Sequence, residues 1–306
     1  MKTKLILIMC LAFAFGCNKE AIDDGSDIQE SAQQIGDVMA SIDESGGGSG
    51  AIAQMQFENS LQKMLARYAP DDTPARGALA QLALPVAEAT SCYGFGFGSC
   101  GGASGTTIVR NFNNCTVSSA SLSGDVTLVW GGGASACSLT SPGQHITRVP
   151  NFTLSGRRGA TLSVTKTGTI GQRLTWASGT GTSKVFNFSN DGINRKFTAT
   201  NSTVFYDQTT TVSGTITVTG TTRASRVING GGSLVVTNNL TANVCTYTPT
   251  NVTWDTPTCT CPTQGYWSGS CTDGKSTTLT LTGCGVANYT EGSETVALSF
   301  DRCASN

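Results

Sequence analysis

The sequence predicts a mainly β protein: an antiparallel, many-stranded sheet, curled or split into two layers as a sandwich or open barrel, preceded by short N-terminal α-helices. Three observations carry that expectation. From Cys92 onward apolar residues alternate with threonine and serine at a period of two, turn-forming clusters punctuate the alternation, and helical spacing is confined to the residues before Cys92.

At the N-terminus, Lys2 and Lys4 precede an apolar run from Leu5 to Phe15. The run is too short for the roughly 20 residues of a membrane-spanning helix and fits the core of an export signal. Gly16 then stands directly before Cys17, and in this the N-terminus resembles that of a bacterial lipoprotein. The resemblance implies removal of residues 1–16 as a signal peptide and acylation of the Cys17 thiol, which would tether the chain to a membrane. Asn18, in place of an aspartate after the anchor, points by the sorting rule of that class to the outer membrane, facing the periplasm or the exterior.

Residues 17–50 read as an acidic linker with a short helix. Ile28, Ile35, Val38, Met39 and Ile42 share one face at helical spacing, Ser26 with Gln29 makes a capping box, and the glycine-rich run from Gly46 to Gly50 ends the pattern. Residues 51–91 carry a second amphipathic pattern, Phe57, Leu61, Met64, Leu65 and Tyr68, stopped by Pro70, with a short helix expected over 76–84. Helices this short cannot bury their stripes alone, and the domain that follows is the expected place for them to pack. Charge divides at the same boundary: Asn18 to Ser91 holds twelve acids and four bases, whereas the chain from Cys92 holds eight acids and thirteen bases. The acidic part reads as a solvated spacer beside the anchor, with folding back onto the basic domain as the sharper alternative.

Residues 92–306 form the expected β-domain. Val126, Leu128 and Trp130 alternate with Asp125, Thr127 and Val129, and Leu162 and Val164 with Thr161, Ser163 and Thr165. Val212, Ile216 and Val218, then Leu279 and Leu281, then Val296, Leu298 and Phe300 continue the pattern. One apolar and one threonine-rich face per strand is the mark of antiparallel sheet with a core side and a wet side. Asn190-Asp191-Gly192, Asn229 to Gly232 and Asp273-Gly274 read as turns between strands. Roughly twelve to fifteen strands are expected, too many for one flat sheet.

With Cys10 in the signal and Cys17 acylated, ten of the twelve cysteines remain for disulfides in an oxidising compartment. Cys92, Cys100, Cys115 and Cys137 stand at the start of the β-domain, and Cys245, Cys259, Cys261, Cys271, Cys284 and Cys303 at its end. If 276–283 and 294–301 formed a hairpin, Cys271 and Cys303 would share one end of it. A zinc reading of Cys259, Cys261, Cys271 and Cys284 is disfavoured, because only Thr260 separates the first pair and export disfavours thiolate sites. Neither metal nor cofactor is expected. In these features the chain resembles the β-rich, Thr/Ser/Gly-rich, cysteine-stapled lipoproteins of bacteria with two membranes.

Net charge of -1 with 13% charged residues excludes nucleic acid as a partner. His145 is the only histidine, and no nucleophile elbow or metalloprotease motif occurs. Asp207, Asp255 and Asp301 are the conceivable carboxylates for glycoside hydrolysis, but nothing around them singles them out. No catalysis is expected. Aromatic residues give the better hints of binding: Tyr93, Phe95 and Phe97 alternate with glycine, and Trp254, Tyr266 and Trp267 cluster near the end, as candidates to stack on sugar or lipid. The competing assignment for each is a core ring.

The expected function is therefore a lipid-anchored cell-envelope protein with a non-catalytic binding or structural β-domain. Its partners are the membrane, through the lipid, and a protein, lipid or glycan. Two alternatives stand beside it: a half-barrel acyl carrier, with an apolar cavity beneath the 57–68 helix, and a carbohydrate-binding or carbohydrate-active surface protein.

Overall fold

The computed structural model describes residues 106–300, apart from 113–114, 118–119, 136, 156–158, 200, 255–258 and 260, together with residues 32, 34–36, 38, 39 and 42. For residues 110, 115–117 and 120 only the backbone is described. The signal, Cys17 and the 51–91 segment lie outside these residues.

The chain is a mainly β, antiparallel structure, as its alternation predicts. The strands run β1 (Thr107–Asn111), β2 (Cys115–Val117), β3 (Ala120–Gly131), β4 (His145–Ser155), β5 (Thr161–Lys166), β6 (Gln172–Ser178), β7 (Val185–Asn190), β8 (Ile193–Thr198), β9 (Val204–Gly214) and β10 (Ile216–Thr219). They continue with β11 (Val227–Asn229), β12 (Gly232–Asn238), β13 (Val244–Thr253), β14 (Gln264–Cys271), β15 (Ser276–Gly283), β16 (Val286–Glu291) and β17 (Glu294–Ser299). All seventeen belong to one sheet. They exceed the expected number because long strands are broken in two. β5 and β6 both pair with β4, β8 and β7 pair with β5 and β6 in turn, and β9 and β10 with β8 and β7. β12 and β11 follow on β9 and β10, and both pair with β13. The result is an up-and-down meander.

Two of the three expected turns are therefore not turns between paired strands. Asn190-Asp191-Gly192 joins β7 to β8, which lie end to end in the sheet, and 229–232 joins β11 to β12 in the same way. The physical reason is bending: a wide sheet that wraps a core needs local breaks in its long strands, and Asn, Asp and Gly serve a kink as well as a hairpin. Asp273-Gly274 is a true hairpin turn, closed by the N–H of Cys271 to the carbonyl of Lys275 at 2.9 Å. At the β7–β8 break Gly192 has φ +146°, and a Cβ there would meet Thr167 Oγ1 at 2.5 Å. The neighbouring Asp191 carboxylate accepts the N–H groups of Ile170 at 2.7 Å and Gly171 at 2.6 Å, and the Thr169 hydroxyl at 3.0 Å. One acid thus fastens the β5–β6 break onto the β7–β8 break. Burial pushes its pKa up, but the Gly171, Ile170 and Thr169 hydrogen bonds outweigh that and hold it below the ordinary value.

One face of this sheet is a continuous core. Leu174, Trp176, Phe186, Phe188, Ile216, Val218, Leu234, Val236, Tyr247, Trp267, Leu279 and Leu298 form a single buried cluster with Ala32, Ile35, Val38, Met39 and Ile42. The last five, with Gln34 and Gly36, lie in helical backbone. Gln34 bonds Thr210 on β9 while Gly36 lies beside Phe300, just after β17, so the sheet between those strands curls, its apolar face is a trough, and the described residues of the helical segment lie in it. Gly36 approaches the wall closely, since a Cβ there would stand 2.7 Å from Phe300 Cδ1.

Two disulfides staple the later strands. Cys245 and Cys271 are directly opposite across β13 and β14, with Cα atoms 4.0 Å apart. Cys259 bonds Cys284. Cys137 and Cys261 are also disulfide-bonded. The expected end-sharing of Cys271 and Cys303 is overturned, because β16 lies between β15 and β17 and no hairpin joins those two. Cys92, Cys100 and Cys303 lie outside the described residues, as does the Cys115 side chain.

Candidate functional site

The outer face carries ranks of hydroxyls. Ser213, Ser233, Thr248, Ser268, Thr278, Thr290 and Thr295 stand in register, one per strand from β9 through β12 to β17. Direct hydrogen bonds join Ser233 to Thr248 at 2.9 Å and Thr290 to Thr295 at 3.0 Å. Period-two alternation in each strand and antiparallel register between strands suffice to build this rank.

Of the aromatic candidates, the structure separates two that are adjacent in sequence. Tyr266 is 41% exposed on the outer face, opposite Thr250 and Thr280, whereas Trp267 is 0% exposed in the trough. Trp254 is also buried, with the Arg226 guanidinium 5.2 Å from its ring centre. Neither tryptophan can stack on an external ligand while it lies in the core. Tyr93, Phe95 and Phe97 lie outside the described residues.

Of the catalytic candidates, Asp207 and His145 are among the described residues. Asp207 Oδ1 accepts from the side-chain amides of Asn194 and Asn239, both at 2.7 Å, and Lys196 Nζ stands 3.7 Å from Oδ2. His145 is partly buried beside Arg173, and burial, then that guanidinium, lower its pKa against the hydrogen bond its ring donates to the Gly143 backbone, which raises it. Asp255 and Asp301 lie outside the described residues. The four sulfurs of the zinc reading are divided among disulfides. Among the described residues no group of three or more His, Cys, Asp or Glu is placed to hold a metal, and no helix is long and apolar enough to cross a membrane.

What the composition did not reveal is a polar belt inside the trough. Arg148 Nη1 donates to Gln172 Oε1 at 3.0 Å, and these two residues are partners across β4 and β6. Gln172 faces Asn190 across β6 and β7, and Asn190 Nδ2 donates to the Thr210 carbonyl at 3.0 Å. One rung away, Arg195 pairs with Gln208 across β8 and β9, and Arg195 Nε donates to the Tyr206 hydroxyl at 2.9 Å. All of these side chains are buried. A signal was available in the alternation: Arg148 follows the phase of Ile146 and Phe152, and Arg195 that of Ile193 and Phe197, so each guanidinium stands where the pattern calls for an apolar residue. Residues 32–42 touch the belt through Gln34, whose Oε1 accepts the Thr210 hydroxyl at 2.7 Å.

No family model matches the chain, and neither does any curated protein or solved structure. The chemistry of its faces is what speaks for its role. One face is a hydroxyl-coated surface on which Tyr266 is exposed between Thr250 and Thr280, and the other is an apolar trough crossed by buried guanidiniums and amides and occupied by described residues of a helical segment of the same chain.

Proposed function

We propose that this protein is a lipid-anchored component of a bacterial cell envelope whose β-domain binds rather than catalyses. The observation that carries the reading is the pairing of Cys245 with Cys271 and Cys259 with Cys284. Disulfides persist in oxidising compartments, and an exported chain whose Cys17 follows a short apolar run and Gly16 has the pattern that lipoprotein processing requires. The hydroxyl ranks support the binding half of the reading, since they offer donors and acceptors without a charged or acid-base pair among them. The test is mass spectrometry of the mature N-terminal peptide together with fractionation of cells. A diacylglyceryl group on Cys17, and release of a Cys17→Ala protein from the membrane fraction, are expected. A mature chain that starts elsewhere and carries no acyl group would overturn the anchor.

Glycan binding on the outer face is a second reading, favoured by Tyr266 standing between Thr250 and Thr280. An exposed ring flanked by hydroxyls can stack on a sugar while its neighbours hydrogen-bond the ring substituents. Retention of the protein on an insoluble glycan, lost in Tyr266→Ala, would support it; equal retention of both would end it.

A further inference from the structure

The end of the chain is seated more firmly than its last strand explains. Among the described residues β17 pairs only with β16, and of its six residues Leu298 alone is buried. A terminal edge strand this exposed frays unless something ties it down. Yet Phe300, which follows it, is 1% exposed, with its ring against Gly36 of the helical segment. Its N–H donates to the carbonyl of Gly285 at 2.8 Å, directly beside Cys284.

Cys284 is also bonded to Cys259, with Cα atoms 5.7 Å apart, and Cys261 stands two residues further on. Cys261 is fully buried and itself disulfide-bonded, and its partner is none of the four cysteines already paired. Cys137 packs with Trp130 and Ile146, whereas Cys261 belongs to the cluster that holds the helical segment. Cys115 lies opposite Leu122, and the register carries that level through Leu154, Leu162 and Phe197 to Tyr206, at the end of the sheet where β13 begins. Cys261 follows the end where β13 finishes. Nothing among the described residues ties Cys92 or Cys100 to this corner. Cys303 is tied to it: it comes three residues after Phe300, a reach of about 11 Å at most, while Cys261 lies at most about 7 Å from Cys259. Both start beside Cys284, on tethers short enough to reach the Cα separation of roughly 4–7 Å that a disulfide needs.

We infer that Cys261 bonds Cys303, and that this bond is a C-terminal latch which holds Phe300 in the wall of the trough and so keeps residues 32–42 seated. Each thiol gives up one hydrogen as the bond forms, and the two electrons pass to a protein disulfide of the oxidising compartment, which is reduced to a dithiol. The loop it closes contains β14, β15, β16 and β17, so the exposed edge of the sheet is fastened covalently to the connection that follows β13. The latch goes beyond the proposed function and does not depend on the anchor, whose test reads Cys17 alone.

The experiment uses the full chain exported with Cys17→Ala, so that no detergent is needed. Free thiols are blocked, the chain is digested without reductant, and linked peptides are fragmented by electron transfer to separate Cys259 from Cys261. A bond between Cys261 and Cys303 is expected. A bond from Cys261 to Cys92, Cys100, Cys115 or Cys137 overturns the assignment, as does Cys303 recovered as a blocked thiol. Hydrogen exchange of residues 32–42, read by mass spectrometry, then tests the latch. In Cys261→Ala/Cys303→Ala it is at least tenfold faster than in the parent, while β12 and β13 amides keep their protection. If that protection is lost, a chain with two glycines inserted between Asp301 and Arg302, which keeps the bond but slackens it, is read in its place and also exchanges faster. Unchanged exchange of residues 32–42 in the variant that is read overturns the latch even where the bond is found.

Discussion

Replacing Gly36 with alanine sets two effects of known sign against each other. In a free helix the change favours the helical state by about 1 kcal/mol, because glycine gives up more backbone freedom than any other residue. In this structure the new Cβ would stand 2.7 Å from Phe300 Cδ1 and 3.1 Å from Cγ. The ring is 1% exposed and has little room to swing away. Overpacking of that kind costs roughly 1–3 kcal/mol, so the net change disfavours docking of residues 32–42 by about 0–2 kcal/mol. The assay is hydrogen exchange of that segment in the full chain, and faster exchange, up to roughly thirtyfold, is expected. Phe300→Ala leaves only the Cβ, 3.4 Å away, which is ordinary contact. In that background Gly36→Ala slows exchange instead, relative to Phe300→Ala alone, so the two positions couple. Slower exchange with Gly36→Ala in the parent chain would refute the placement of the segment against Phe300.

Three further outcomes follow from the sheet. Replacing Cys245 and Cys271 together by alanine lowers stability by about 3.5 kcal/mol in urea unfolding, the loop-closure value for a separation of 26 residues. Trp267→Ala costs about 3–5 kcal/mol in the same assay, whereas Tyr266→Ala, on the opposite face, stays within about 0.5 kcal/mol. Asp191→Asn lowers stability in urea unfolding near neutral pH by less than about 1 kcal/mol, the group being so exposed. The folded pKa of Asp191 lies below its ordinary value, so the stability it confers is present above that ordinary value and is lost as pH falls through the folded one. Parent and Asp191→Asn therefore converge in acid, and a constant difference down to the acid transition would show that the carboxylate clamp is not what the mutation removes.

The inward and outward faces were legible in the sequence wherever the alternation was clean. Leu162 and Val164, Ile216 and Val218, and Leu279 and Leu281 all point into the core, as their spacing requires. Val296 shows where the rule stops. It has the inward phase of Leu298 but is 45% exposed, because β17 pairs on one side only among the described residues and the trough thins toward that edge. Strand continuity was not legible. Asn190-Asp191-Gly192 has the composition of a hairpin turn, and only the long-range pairing of β7 with β10 and β8 with β9 shows that the chain kinks and runs on. Residue type alone cannot tell a kink from a reversal, because both need the same backbone freedom.

The same kinks give the trough its polar belt. Gln172 opens β6, Asn190 ends β7 and Thr210 lies on β9 opposite Ile193, the first residue of β8, so these belt residues sit beside the breaks in the strands. A break leaves backbone groups without ladder partners, and in a buried wall something must meet them. Asn190 does so directly, donating to the Thr210 carbonyl, while its own Oδ1 accepts the N–H of Gly192 at 3.0 Å. Amides are thus required at the crease for the fold alone. The arginines add side-chain bonds to the belt, Arg148 Nη1 to the Gln172 side chain and Arg195 Nε to the Tyr206 hydroxyl. Placing a guanidinium in a wall costs more than placing an amide there. A buried guanidinium is tolerated where hydrogen bonds meet it, as the Gln172 and Tyr206 side chains do here.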